Sequence, residues 1–177
     1  DGVSVREVVG LALLLLTLCA AVPAGLFCLQ VLAGACRARD GQDRSVETVE
    51  SRAPFAVLMP AHDEAIGIVA AIDAVRAQLG DSDRLLVVAD NCTDATAAVA
   101  RVAGAEVTER TDPHRRGKGY ALDHGVRWLE RAPPSVVIIV DADCIVGEQA
   151  LERLARRCLA TRRPVQALYL MHALPGA

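Results

Sequence analysis

One run of five consecutive β-branched residues, Val136, Val137, Ile138, Ile139 and Val140, constrains this chain more than any other feature. Such a run reads as a strand buried on both faces, the situation in a parallel sheet covered by helices. The run ends on Asp141-Ala142-Asp143. In extended chain, residues i and i+2 point to the same side, so both carboxylates leave the strand end together. Two like charges roughly 4 Å apart repel by about 1 kcal/mol in water and by about 4 kcal/mol at an effective dielectric near 20. A cation between them removes that cost. Ligand crevices in open α/β sheets lie at the carboxyl ends of strands. The segment therefore predicts a hard divalent ion, held by oxygen ligands, at the place where such sheets bind substrates.

The rest of the polar chain alternates strand and helix. Phe55 to Met59 reads as a strand ended by Pro60, and Leu85 to Ala89 as a second. Ala105 to Thr108 reads as a third, Val136 to Val140 as the fourth, and Val165 to Met171 as the start of a fifth. Between them, Glu64 to Leu79 carries Ile66, Val69, Ile72, Val75 and Leu79 at helical spacing. A helix capped by Thr93 or Asp94 runs to about Ala103 and closes at Gly104. Further helices are expected over Lys118 to Arg131 and Gly147 to Ala160. Strands separated by helices of this length imply right-handed crossovers and a mostly parallel sheet flanked by helices.

The N-terminal part is different. No charged side chain occurs from Val8 to Cys36. About 20 apolar residues suffice to cross a hydrocarbon core, and a signal-peptide core is shorter than this run. The segment reads as a membrane-spanning helix, with Pro23 expected to kink it or to separate it from an interfacial turn. Arg37, Arg39, Arg44 and Arg52 follow the span and only Arg6 precedes it. The positive-inside rule then turns the following domain toward the cytoplasm. The expected organisation is a flank over 1–7, a span over 8–36, a linker over 37–53 and an α/β domain over 54–177.

With a formal net charge of -3, nothing marks the chain as a nucleic-acid binder, and at 3% aromatic content stacking platforms are scarce. The cysteines, Cys19, Cys28, Cys36, Cys92, Cys144 and Cys158, lack CxxC or Cys/His spacing. They read as small buried hydrophobes or unpaired thiols rather than as ligands or disulfides. His62 and His114 read as loop residues, and Tyr120 and Trp128 as packing residues on a helix. Asp63 and Asp94 are candidates for either capping or function.

Three expected strand ends converge on one rim. They deliver Pro60-Ala61-His62-Asp63-Glu64, Asp90-Asn91-Cys92-Thr93-Asp94 and Asp141-Ala142-Asp143. The basic loop Arg110, His114, Arg115, Arg116, Gly117, Lys118 adds the opposite charge. Such a rim suits a divalent ion, a diphosphate and a polar ring together.

Four segments, FAVLMPAHDE (55–64), VVADNCTDAT (87–96), RGKGYALDHG (116–125) and VIIVDAD (137–143), resemble in order and spacing the family 2 glycosyltransferases. The resemblance runs from Phe55 to Met171 and implies the GT-A fold, a Rossmann-type sheet. It implies that Pro60, His62 and Glu64 contact the nucleoside and that Asp90 reads the base edge, usually uracil. It places Gly117 and Lys118 beside the diphosphate. Asp143 becomes a direct Mg²⁺ or Mn²⁺ ligand, and Asp141 a second ligand or ribose contact. Departures are visible: Ala89 stands where the family commonly has a first Asp, and His62-Asp63 where it has an aromatic and an Asn. The implied reaction moves a sugar from a nucleotide-sugar donor, a UDP-sugar first, with inversion, to a glycan or lipid-linked acceptor. The catalytic base is implied to lie beyond Ala177, so this chain is expected to be the donor-binding half. A nucleotidyltransferase-like enzyme and a non-catalytic nucleotide-binding fragment are the alternatives. The first would carry a Gly-rich basic loop after the first strand, and Pro60 to Glu64 is acidic instead.

Overall fold

The computed structural model describes residues 4–40 and 53–170. It divides into two compact units, Asp1–Ser45 and Val46–Ala177, each taken by itself.

The described part of the first unit holds one helix, α1 (Val5–Asp40), which includes Pro23. Within it, Val8–Gly34 is long and apolar enough to cross a membrane. A proline ring removes the N–H that would bond the carbonyl four residues back, here that of Cys19. The helix nevertheless continues, so no turn forms at Pro23, and it extends past the expected boundary at Cys36. Most of the linker expected over 37–53 lies outside the described residues.

Among the described residues, the second unit holds four strands, β1 (Phe55–Ala61), β2 (Arg84–Asp90), β3 (Glu106–Arg110) and β4 (Val136–Ile139). They form one parallel sheet in the order β3-β2-β1-β4. The helices are α2 (Ile68–Arg76), α3 (Thr96–Val102), α4 (Lys118–Leu129) and α5 (Ala150–Thr161). The first two crossovers step outward from β1 to β2 to β3. The third returns past β1 to β4. Right-handed connections that reverse direction must change face, and the packing follows that rule. Odd-numbered residues of β1, Phe55, Val57 and Met59, cluster with Ile68, Ile72 and Val75 of α2, Ala100 of α3 and Leu151 of α5. Even-numbered Ala56 and Leu58 cluster with Leu86, Val88 and the α4 residues Ala121 and Leu129.

Pro60 does not end β1, which continues to Ala61. Val140 N–H donates to Leu58 C=O at 3.1 Å. Backbone groups of even residues in β1 therefore face β4, whose pairing with β1 stops at Leu58. The N–H that Pro60 lacks would have pointed past the end of that ladder, so its absence costs the sheet no bond.

Three further expectations require correction. The β4 run is buried on one face only. Val136 and Ile138 are enclosed, whereas Val137 and Ile139 are 39% and 52% exposed. The reason is that α4, on their side, packs over β1, β2 and β3. The first helix starts at Ile68 rather than Glu64, and Ile66 is fully exposed. Residues 64–67 are instead drawn into a turn, Glu64 N–H donating to Thr96 Oγ1 (2.8 Å) and Ala65 N–H to Asp94 Oδ2 (3.0 Å). No fifth strand forms over the described residues 165–170.

Candidate functional site

The reversal between β1 and β4 is a topological switch point, where the loops leaving the two strands diverge and open a crevice. A cleft of about 450 Å³ lies there. Pro60, His62 and Glu64 after β1, Asp90 at the end of β2, Gly117 and Lys118 at the start of α4, and Asp141 and Asp143 after β4 all line it. Every residue expected at the site is thus on one surface. Ala61, Asn91, Arg116, Ala121 and Ala142 complete the lining.

The β1 and β2 loops are cross-tied. The Asp63 carboxylate accepts the N–H groups of Thr93 (2.6 Å) and Asp94 (3.3 Å) and the Thr93 hydroxyl (3.1 Å). The Thr93 N–H is the main cause that holds the Asp63 carboxyl below its usual range. Asp94 accepts the Thr96 N–H (2.9 Å) and the Thr96 hydroxyl. Neither acid is the expected helix cap, because α3 is capped at Ala95 without a side-chain bond. Asp63 and Asp94 instead tie the loops together, Asp94 closing a turn just before α3. Asp63 and Asn91 adopt φ of +54° and +52°, a region that Asp and Asn enter more readily than most residues.

Asp90 is almost buried. Its Oδ1 accepts Arg110 Nη1 (2.6 Å) and Asn91 Nδ2 (3.1 Å), which leaves Oδ2 for a ligand. Arg110 also donates to Asp112 (3.3 Å), and Asn91 Oδ1 accepts the Asp112 N–H (2.7 Å). The sequence names Arg110 only as part of a basic loop and Asn91 only as part of a strand-end cluster. Arg110 in fact ends β3, and the role of both in holding Asp90 is not read there. The signal for Arg110 is its position at the C-terminal end of the strand beside Asp90, where a basic residue meets an acid of the same rim.

Gly117 adopts φ +119° and ψ 159°, open to glycine alone, and this bend starts α4 at the cleft. Lys118 Nζ pairs with Asp141 Oδ1. Asp141, Asp143 and Cys144 bring donor atoms within 4.8 Å of one another. Two carboxylates with open faces suit Mg²⁺ or Mn²⁺, which take one or two carboxylates plus phosphate oxygens. The Cys144 thiol contacts Asp143 (3.3 Å) and the Tyr169 hydroxyl. Tyr120 and Trp128 do not present rings to the cleft. Arg110 lies 5.5 Å from the centre of the Tyr120 ring and Arg131 4.4 Å from that of Trp128, whose indole N–H donates to Glu106 (2.6 Å).

A parallel α/β sheet with acidic loops and a basic helix start at its switch point defines a nucleotide-binding class of protein. The family profile for Glycosyl transferase family 2 matches residues 56–167. The chain belongs to this family. Among solved structures, it is similar to the mannosyltransferase PcManGT from Pyrobaculum calidifontis in complex with GDP-Man and Mn²⁺. The TM-score is 0.58 at 24% identity over 78% of this chain and 42% of that one. It is also similar to glucosyl-3-phosphoglycerate synthase from Mycobacterium tuberculosis, in complex with Mn²⁺, UDP and phosphoglyceric acid. There the TM-score is 0.51 at 27% identity over 66% of this chain and 42% of that one. The same synthase is solved with Mg²⁺ and UDP (TM-score 0.50, 27% identity, 66% and 42% coverage). The chain thus spans less than half the length of these structures. No curated protein sequence matches it.

Proposed function

We propose that this chain is the nucleotide-sugar-binding part of an inverting, membrane-tethered glycosyltransferase that uses a UDP-sugar and Mg²⁺ or Mn²⁺. The observation that carries the reading is the convergence of the β1, β2 and β4 loops and the α4 start on one cleft of about 450 Å³. Family membership, and the UDP and Mn²⁺ or Mg²⁺ bound in glucosyl-3-phosphoglycerate synthase, support it.

Pro60, His62 and Glu64 form one wall against the nucleoside, and Asp90 Oδ2 faces the base edge. Arg110 and Asn91 fix the Asp90 rotamer, so the acceptor atom is pre-aimed at a ring N–H. Gly117, Lys118 and Arg116 sit beside the diphosphate, Lys118 as a point charge at the helix start. Asp143 and Asp141 hold the ion. A divalent cation bound there supplies charge neutralisation for the departing diphosphate. Lys118 pairs with Asp141 and keeps its carboxylate from repelling the incoming phosphates. In the reaction, a bond forms between an acceptor hydroxyl oxygen and the anomeric carbon while the bond from that carbon to the diphosphate breaks. The hydroxyl proton passes to a carboxylate on the acceptor side. Attack opposite the leaving group inverts the carbon.

Val8–Gly34 of α1 serves as the tether, and the arginines that follow it turn the domain toward the cytoplasm. A glycan or lipid-linked acceptor matches that location.

Calorimetric titration with UDP, with and without Mn²⁺, tests the reading. Binding at least tenfold tighter with Mn²⁺, and loss of that gain in Asp143→Ala, is the expected result. Metal-independent UDP binding, or a nucleoside triphosphate bound more tightly than UDP, overturns it.

A further inference from the structure

We infer that His62, Asp63 and Cys92 form a second metal site, for a borderline-soft divalent ion of the zinc class, which staples the loop after β1 to the loop after β2. The cleft reading assigns a hard ion to Asp141 and Asp143 and sets His62 against the nucleoside, but it gives no metal to the cluster of His62, Asp63 and Cys92.

His62 and Asp63 are neighbours after β1, and Cys92, from the loop after β2, is far from them in sequence but not in space. Each presents one donor atom, and these atoms lie within 4.8 Å of one another. His62 Nε2 is 3.8 Å from Asp63 Oδ2. Zinc bonds to nitrogen, oxygen and sulfur of roughly 2.0–2.3 Å in a tetrahedron place neighbouring ligand atoms roughly 3.3–3.7 Å apart. A contraction of a few tenths of an ångström at the His62–Asp63 edge is therefore enough. Three protein ligands leave the fourth position to water.

The orientation of the imidazole is the second observation. His62 Nδ1 sits 2.7 Å from the Asp90 backbone carbonyl, an acceptor only. Nδ1 must then carry the ring proton, and Nε2 holds the free lone pair. A histidine that ligates through one nitrogen and donates its other N–H to a backbone carbonyl is the usual arrangement at protein zinc sites. The contact that fixes the ring also crosses from the β1 loop to the β2 strand end, so the ligand is pre-aimed before any ion arrives.

The other two ligands have capacity to spare. An ionised carboxylate offers about four acceptor positions. Asp63 uses three of them, on the Thr93 amide, the Thr93 hydroxyl and the Asp94 amide. Burial pushes the Cys92 thiol above its usual range, and the Asp63 N–H directed at the sulfur opposes that only in part. Without metal its S–H points to the Ala61 carbonyl at 3.5 Å. A bound ion displaces that proton, and one carboxylate plus one thiolate then balance a doubly charged ion. The His62 and Asp63 side chains are 58% and 36% exposed, which leaves an entry path from solvent.

Ligation by Cys92 sulfur, as opposed to Cys144 beside Asp143, separates this site from the two carboxylates. Titration of the full chain, reduced and in detergent, with Co²⁺ is expected to give a saturable near-ultraviolet sulfur-to-cobalt charge-transfer band that Zn²⁺ abolishes. Cys92→Ser is expected to remove the band, and His62→Gln, at an exposed position that does not threaten folding, to weaken binding at least tenfold. Cys144→Ser, which alters the thiol beside Asp143, is expected to leave the band intact. No band, a band that survives in Cys92→Ser, or a band that disappears in Cys144→Ser overturns the inference. If Cys92→Ser does not fold by circular dichroism, unchanged cobalt affinity in His62→Gln is by itself sufficient to overturn it.

Discussion

Arg110 Nη1 donates to Asp90 Oδ1 at 2.6 Å, with the two side chains only 12% and 9% exposed. Removing one partner of a buried pair leaves an uncompensated charge and costs about 3–5 kcal/mol. Arg110→Met should lower stability by that amount in urea denaturation. The double variant Arg110→Met/Asp90→Asn should recover a good part of the loss, because no buried charge then lacks a partner. Arg110→Lys should recover less than the native fork, since the guanidinium also reaches Asp112.

Lys118 and Asp141 form a pair with side chains 54% and 38% exposed. Exposed pairs contribute about 0–1 kcal/mol to stability. Lys118→Ala should therefore leave the thermal midpoint nearly unchanged. UDP binding should weaken by about tenfold, or about 1.4 kcal/mol, because a charge beside the diphosphate is lost. A melting curve and a calorimetric titration of the same preparation separate the two effects. A large drop in midpoint with unchanged UDP affinity would assign Lys118 a purely structural role.

Gly125 lets α4 lie directly on the sheet. A Cβ there would meet Leu58 Cδ1 at 2.3 Å and Val88 Cγ2 at 2.9 Å. Alanine favours a helix interior over glycine by about 1 kcal/mol, while overpacking a close-packed core costs about 1–3 kcal/mol. Leu58 and Val88 are fully buried and cannot move aside freely. Packing wins, and Gly125→Ala should destabilise the domain by about 1 kcal/mol. Displacement of α4 carries Gly117 and Lys118 with it, so UDP affinity should fall as well. Denaturation midpoints and UDP titration check both parts.

The parallel sheet was legible because each strand is a short apolar run and each crossover has its own punctuation. The rim acids were legible because they stand immediately after those runs. What could not be read was set by tertiary context. Ile66 continues the helical apolar spacing of Ile72 and Val75, yet the Glu64 and Ala65 amides bond to Thr96 and Asp94 from another loop and delay the helix. Val137 and Ile139 look as buried as Val136 and Ile138, and only the placement of α4 distinguishes them. Cys92 shows no metal-ligand spacing, because His62 and Asp63 reach it from a different strand end. The pairing of Arg110 with Asp90 depended on the register of β3 on β2.

The same cross-tied loops set the behaviour of the fold in acid. Asp94 is held below its usual carboxylate range by the Thr96 hydroxyl first, with the Thr96 and Ala65 N–H groups adding to it. Asp63 is held low by the Thr93 N–H first. A carboxylate in an unfolded chain has a pKa of about 3.9. A folded value below that means the native state binds fewer protons than the unfolded chain as pH falls through this region. The contribution of both acids is therefore complete above about pH 5 and is lost as pH drops below about 4, through their folded values. Urea midpoints of metal-free protein should fall from pH 6 to pH 3. Asp94→Asn should start from a lower midpoint at pH 6 and lose less over the same interval. A pH profile for Asp94→Asn parallel to that of the native chain would show that its bonds to Thr96 and Ala65 contribute nothing to holding the two loops together.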